Sequence, residues 1–86
     1  MSGFEYKIKE ELGVHARPAG LLVQAAKNHP QSHIQILKGN HTADVTKLFA
    51  VMSLCIKCGD TIKVTADGED ADSALAEMRE ICTKYL

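Results

Sequence analysis

Of the four histidines in this chain, His15 alone stands where a helix should begin, in the run Gly13-Val14-His15-Ala16-Arg17-Pro18-Ala19. The first backbone N–H groups of a helix have no intrahelical partners, and the macrodipole places about half a positive elementary charge beside them. An anion is favoured there. If a phosphoryl group is bonded to a ring nitrogen of His15, its oxygens can be held by the N–H groups of Ala16 and Arg17 and by the Arg17 guanidinium. One arginine and backbone donors hold a phosphohistidine without trapping it, which suits reversible transfer at a surface. The competing reading is that a histidine before a helix is a cap or a solvated side chain.

Cys55 and Cys58 form the second group with chemistry, at the CxxC spacing of zinc and redox sites. A structural zinc needs four ligands, and Cys82 is the one thiol left, with His29, His33 and His41 in other segments. A redox pair of the thioredoxin type opens a helix after a strand, whereas this pair follows a helix. The thiols therefore read as structural or incidental, with a small metal or redox module as the second class of function. His29, His33 and His41, near turns or a polar strand face, read as solvated surface. There is no Ser/His/Asp arrangement and no Walker-type loop, so the chain reads as no self-sufficient enzyme, and neither a metal nor a cofactor is expected.

These groups must be carried by short elements. Phe4 to Glu10 alternates apolar with charged residues, the period of a strand with one buried face. From Arg17 the spacing changes, and Leu21, Leu22, Ala25 and Ala26 share a helical face that begins after His15 and ends near Asn28 and His29, before Pro30. Ile34 and Ile36 mark a second strand, Gly39-Asn40 a hairpin turn, and His41 to Asp44 a third strand. Leu48, Phe49, Val51, Met52 and Leu54 fit a short helix capped by Asp44 or Thr46. Thr61 to Ala66 alternates as a fourth strand, closed by Asp67 and Gly68. Ala71, Ala74, Leu75, Met78, Ile81, Cys82 and Tyr85 lie at helical spacing behind Glu69, Asp70 and Asp72, whose charge suits a helix start. That order predicts an α+β fold, an open-faced two-layer sandwich in which helices cover one face of a small sheet.

Eighty-six residues allow one domain, here 1–86, with one modest core, so function should sit on its surface. A net charge of -1 with scattered lysines and arginines argues against nucleic acid, and aromatics that never interleave with basic residues remove a stacking platform. No apolar run is long enough for membrane insertion and no signal peptide is evident, so a cytoplasmic chain with reduced thiols is expected.

Gly13-Val14-His15-Ala16-Arg17-Pro18-Ala19 resembles the active-site signature of HPr, the histidine-containing phosphocarrier of the bacterial sugar phosphotransferase system. The likeness continues through Leu48-Phe49-Ala50-Val51-Met52-Ser53-Leu54, Gly59-Asp60-Thr61-Ile62 and Ala66-Asp67-Gly68-Glu69-Asp70, in the family's order over nearly the whole chain. It implies a four-stranded antiparallel sheet covered on one face by three helices. It also implies a monomer whose His15 is phosphorylated on Nδ1 by enzyme I, charged from phosphoenolpyruvate. The group passes on to the IIA component of a sugar permease, with Arg17 steadying the phosphate. Partners would dock on Ala19, Gly20, Leu48, Phe49, Val51 and Met52, Val51 and Met52 being equally readable as core. A related phosphocarrier in a non-sugar pathway is the alternative within the same fold. Where Gram-positive members carry a regulatory serine at the start of the second helix, this chain has Lys47, which cannot accept that phosphate. Cys55 replaces the glycine that usually closes the second helix, and a Cβ is disfavoured there if the backbone is left-handed. The hairpin around Gly39 to His41 carries one extra residue.

Overall fold

The computed structural model describes residues 2–86. Alternating β-branched and charged residues give four strands, β1 (Ser2–Lys7), β2 (Ser32–Lys38), β3 (His41–Asp44) and β4 (Thr61–Gly68), which form one antiparallel sheet in the order β1-β4-β2-β3. The register sets Phe4 opposite Val64, Ile36 opposite the same Val64, and Ile34 opposite Ala66. Because side chains alternate across a strand, these apolar residues share one face. Glu5 and Lys63, paired directly and of opposite charge, stand exposed on the other. Thr65, on that polar face, is the one buried polar residue among those described.

Three helices, α1 (Ala16–Lys27), α2 (Leu48–Ser53) and α3 (Ala71–Tyr85), pack on the apolar side. Leu22, Ala25 and Ala26 of α1 and Ala74, Met78 and Cys82 of α3 meet Ile8, Ile34, Ile36, Ile62 and Val64 in one core. Burying each of these larger side chains contributes about 1.5–3 kcal/mol. Arg79 of α3 also lays its guanidinium 4.5 Å from the centroid of the Phe4 ring on β1. The expected open-faced α+β sandwich is the fold observed.

Three boundaries differ from expectation. The ladder of β1 stops at Lys7, because Ile8 donates to the Asp60 carbonyl at 2.9 Å and accepts from Gly59 at 2.8 Å, leading the chain toward α1. β4 runs through Gly68, whose φ of 147° lets its backbone press against Gln31 and Ser32, where a Cβ would come within 2.6 Å of the Ser32 Cα. Neither Asp44 nor Thr46 caps α2: Asp44 Oδ1 takes both the backbone N–H and the hydroxyl of Thr46, at 2.8 and 2.6 Å, in a turn that comes before the helix. Lys47 occupies the cap position without a side-chain bond.

Candidate functional site

His15 is the N-cap of α1, with extended backbone (φ -96°, ψ -174°) and no side-chain capping bond. Its carbonyl accepts the first helical bond, from Ala19 at 3.0 Å. Pro18 has no N–H to give, and the N–H groups of Ala16 and Arg17 find no partner among the described residues, so two donors point out of the helix beside the imidazole. Ala16 and Arg17 are exposed, His15 is half-buried, and the Arg17 guanidinium enters no ion pair among the described residues. The arrangement can hold an anion against the ring by two backbone donors and one mobile fork of charge.

What holds His15 in this place is the chain on either side of it. Gly13 adopts φ 65° and lies so close to the end of α2 that a Cβ would come within 2.8 Å of the Lys57 Cα. Only glycine fits both demands. The next residue, the buried Val14, donates its N–H to the Ile56 carbonyl at 3.0 Å, and the Glu10 N–H reaches the Leu86 carbonyl at 2.8 Å. The loop before the helix is thus tied to the exit of α2 and to the last residue.

That exit is strained. Cys55 has φ 51°, the one positive value among the described non-glycine residues. A left-handed conformation costs an L-residue about 1–2 kcal/mol. The usual glycine is absent, yet the left-handed turn is kept, and the last turn of α2 closes through tight bonds from Leu54 to Val51 (3.2 Å) and from Cys55 to Met52 (3.1 Å).

The residues expected to meet partners divide. Phe49 is 86% exposed and Leu48 is 37%, whereas Ala19 and Val51 are 0% and 1%. Ala19 and Val51 therefore belong to the core and offer a partner no surface, which corrects the expectation for Ala19 and decides for Val51 in favour of the core reading. Gly20 and Met52 are half-buried. Leu12, 71% exposed in the loop before His15, was not foreseen. Its signal in the sequence is that it falls between the alternation of β1 and the spacing of α1, an apolar residue with no buried face to join. Since α2 spans about 9 Å at 1.5 Å per residue, Leu48 and Phe49 lie only that far from the exit that carries Val14. Leu48, Phe49 and Leu12 thus leave apolar surface exposed on α2 and on the loop before α1.

The remaining candidates are the cysteines and the other three histidines. Cys82 is fully buried, and burial pushes its thiol up to about 11, so it is inert. Cys55 and Cys58 are exposed. Among the described residues no three His, Cys, Asp or Glu side chains converge as a metal site. His33 and His41 are exposed. His29 is not the solvated residue it was expected to be: its ring bridges α3, with Nδ1 2.8 Å from Asp70 Oδ2 and Nε2 2.7 Å from Glu77 Oε1. Ser32 donates its hydroxyl to the other oxygen of Asp70.

A family model described as the PTS HPr component phosphorylation site matches residues 3–84. The phosphocarrier protein HPr of Mycoplasma capricolum is 34% identical over 80 residues, covering 93% of this chain and 89% of that one. A stretch making up 9% of the multiphosphoryl transfer protein of Xanthomonas campestris is 33% identical over 78 residues, 91% of this chain. Among solved structures, the histidine-containing phosphocarrier protein of Mycoplasma superposes with a TM-score of 0.93 at 31% identity, covering 96% of this chain and 93% of its own. The phosphocarrier protein HPr from Bacillus anthracis does so with a TM-score of 0.81 at 30% identity, covering 99% and 96%. With the family model spanning all but the ends and a bare histidine at the start of α1 inside that match, the chain belongs to the HPr family, the phosphocarriers of the phosphotransferase system.

Proposed function

We propose that His15 takes a phosphoryl group on Nδ1 from enzyme I and yields it to IIA components of sugar permeases, as a cytoplasmic monomer that is a substrate of enzyme I and not itself an enzyme. The observation that carries this reading is the state of the α1 start: an imidazole with no capping bond, next to two N–H groups and a guanidinium that have no hydrogen-bond or ion-pair partner among the described residues. The lone pair of Nδ1 attacks phosphorus while Nε2 keeps its proton, and the bond from phosphorus to the donor breaks in line. The three phosphoryl oxygens then face the Ala16 and Arg17 N–H groups and the Arg17 side chain, which spread their charge. Return of the group to an acceptor needs no other residue of this chain, so Leu48, Phe49, Met52 and Gly20 serve to dock first one partner and then the next.

The test is incubation with a bacterial enzyme I and phosphoenolpyruvate, followed by intact mass. Gain of a single acid-labile phosphoryl group in the wild type and none in a folded His15→Ala variant is the expected result. Uptake retained by that variant would refute the proposal.

A further inference from the structure

The loop under His15 is held by a residue that stands far from it in sequence. Lys38, the last residue of β2, brings its ammonium 2.8 Å from the carbonyl oxygen of Cys55, 3.3 Å from that of Leu54, and 3.1 Å from Asp60 Oδ2. An ammonium has three donors, and these are three acceptors. Two of them are carbonyls that the end of a helix leaves without intrahelical partners, where a cation is favoured. The third, Asp60 Oδ2, also accepts the Lys57 N–H at 2.8 Å, so the same network grips the segment 54–60 at both ends. Between those ends lie the left-handed Cys55 and the Ile56 carbonyl that receives the Val14 N–H. A left-handed cysteine favours relaxing to a right-handed or extended backbone. Relaxation would carry the Ile56 carbonyl away from Val14 and remove the wall against which Gly13 rests.

We infer that Lys38 is a positioning residue for His15: it locks the strained exit of α2 in the one conformation that presents the imidazole and the two free N–H groups together. The inference rests on the reading of His15 as phosphoryl acceptor. Lys38 contacts neither the ring nor the phosphate cradle, and acts through Leu54, Cys55 and Ile56.

The experiment uses Lys38→Met, which keeps the aliphatic stem and drops the ammonium, and Lys38→Arg, each in the wild-type chain and in a Cys55→Gly background. Two readouts are taken: the kcat and KM of enzyme I for the carrier as substrate, and amide hydrogen exchange at Val14 with Met78 as the core reference. In the wild-type background Lys38→Met should lower kcat about tenfold, the effect of losing one charged hydrogen bond, with KM unchanged. Exchange at Val14 should rise by a similar factor while Met78 stays protected. Lys38→Arg should restore most of the loss. Glycine carries no left-handed penalty, so in the Cys55→Gly background the effect of Lys38→Met should shrink to less than threefold. A rise in KM alone, an equal loss in both backgrounds, or unchanged Val14 exchange overturns the inference. If the wild-type chain takes up no phosphate, the acceptor reading fails by itself, and Val14 exchange still decides whether Lys38 holds the loop.

Discussion

The two ends of α1 each present a histidine, and they are treated in opposite ways. At the N-terminal end His15 makes no capping bond and its neighbours' N–H groups find no partner among the described residues. Just past the C-terminal end both ring nitrogens of His29 are taken, by carboxylates of Asp70 and Glu77, and its side chain is 13% exposed. The helix field explains part of the difference. A cation is stabilised where carbonyls end the helix and an anion where N–H groups begin it. Two ring hydrogen bonds in place of none explain the rest. A histidine with both nitrogens occupied has no lone pair for phosphorus, while one with neither is free to use it. The same residue type is thus a structural tie at one end and, in the function proposed, a nucleophile at the other.

The largest effect that separates the two ends is on phosphoryl uptake. His29→Gln should accept phosphate from enzyme I at the wild-type rate, within about twofold, where His15→Gln accepts none. Mass spectrometry after a fixed incubation reads both. Stability should reverse the order: His15→Gln leaves the thermal midpoint within about a degree, whereas His29→Gln lowers it by about 5 °C, the shift expected for a domain of this size when one moderate tie between helices is lost. Equal uptake by the two variants would erase the contrast.

The next effect is in pH. A neutral imidazole donates once, so bonds to Glu77 and Asp70 together require the protonated ring, and those bonds raise the pKa of His29 above its usual 6.5. The folded chain then holds this proton more tightly than the unfolded chain. The stabilisation is complete below pH 6.5 and is lost as pH rises through the raised value. Asp70 runs the other way: the Ser32 hydroxyl and then His29 hold its carboxyl below the usual 3.8, so its contribution is present above 3.8 and lost as pH falls through the lowered value. Thermal midpoints from pH 3 to 9 should fall on both sides of a plateau. In His29→Gln the alkaline decline should flatten and the acid decline remain. An alkaline limb of the same slope in wild type and variant would show that the bridge carries no proton linkage.

How much of this was legible in the sequence follows from the range of the interactions. His15 could be placed at a helix start because the signals lie within four residues, Gly13 before it and Pro18 after it. The strands could be read because alternation is local, and the two-layer arrangement followed once three helices had to share a face, but the order β1-β4-β2-β3 depends on pairings between distant segments that no local pattern encodes. His29 was misread as solvated because its partners are 41 and 48 residues away, on a helix whose orientation no local pattern encodes. The Lys38 network hides for the same reason, since its carbonyl acceptors are backbone atoms of ordinary residues 16 and 17 positions on. The buried Val51 shows a further limit: a helix of six residues such as α2 has too few turns for its spacing to tell the core-facing residue from the exposed one. Cys55 was legible in half. Its place in a left-handed turn could be suspected, but that the turn survives with a Cβ depends on the distant hold of Lys38.

The smallest effect tests whether that strain belongs to the free end of α1 or merely lies beneath it. Cys55→Gly removes a Cβ from a residue at φ 51° and leaves the Leu54 and Cys55 carbonyls for Lys38 in place. Relief of the left-handed penalty should stabilise the fold by about 1 kcal/mol, part of the gain being offset by the greater freedom of glycine in the unfolded chain. Urea unfolding should show a higher midpoint with an unchanged slope, and uptake by His15 should stay at the wild-type rate, because the geometry at Val14 is already imposed. Were uptake instead to change severalfold while stability rose, the strained cysteine would be tuning His15 directly. The contrast between a locked and a free histidine would then extend to the loop beneath the free one.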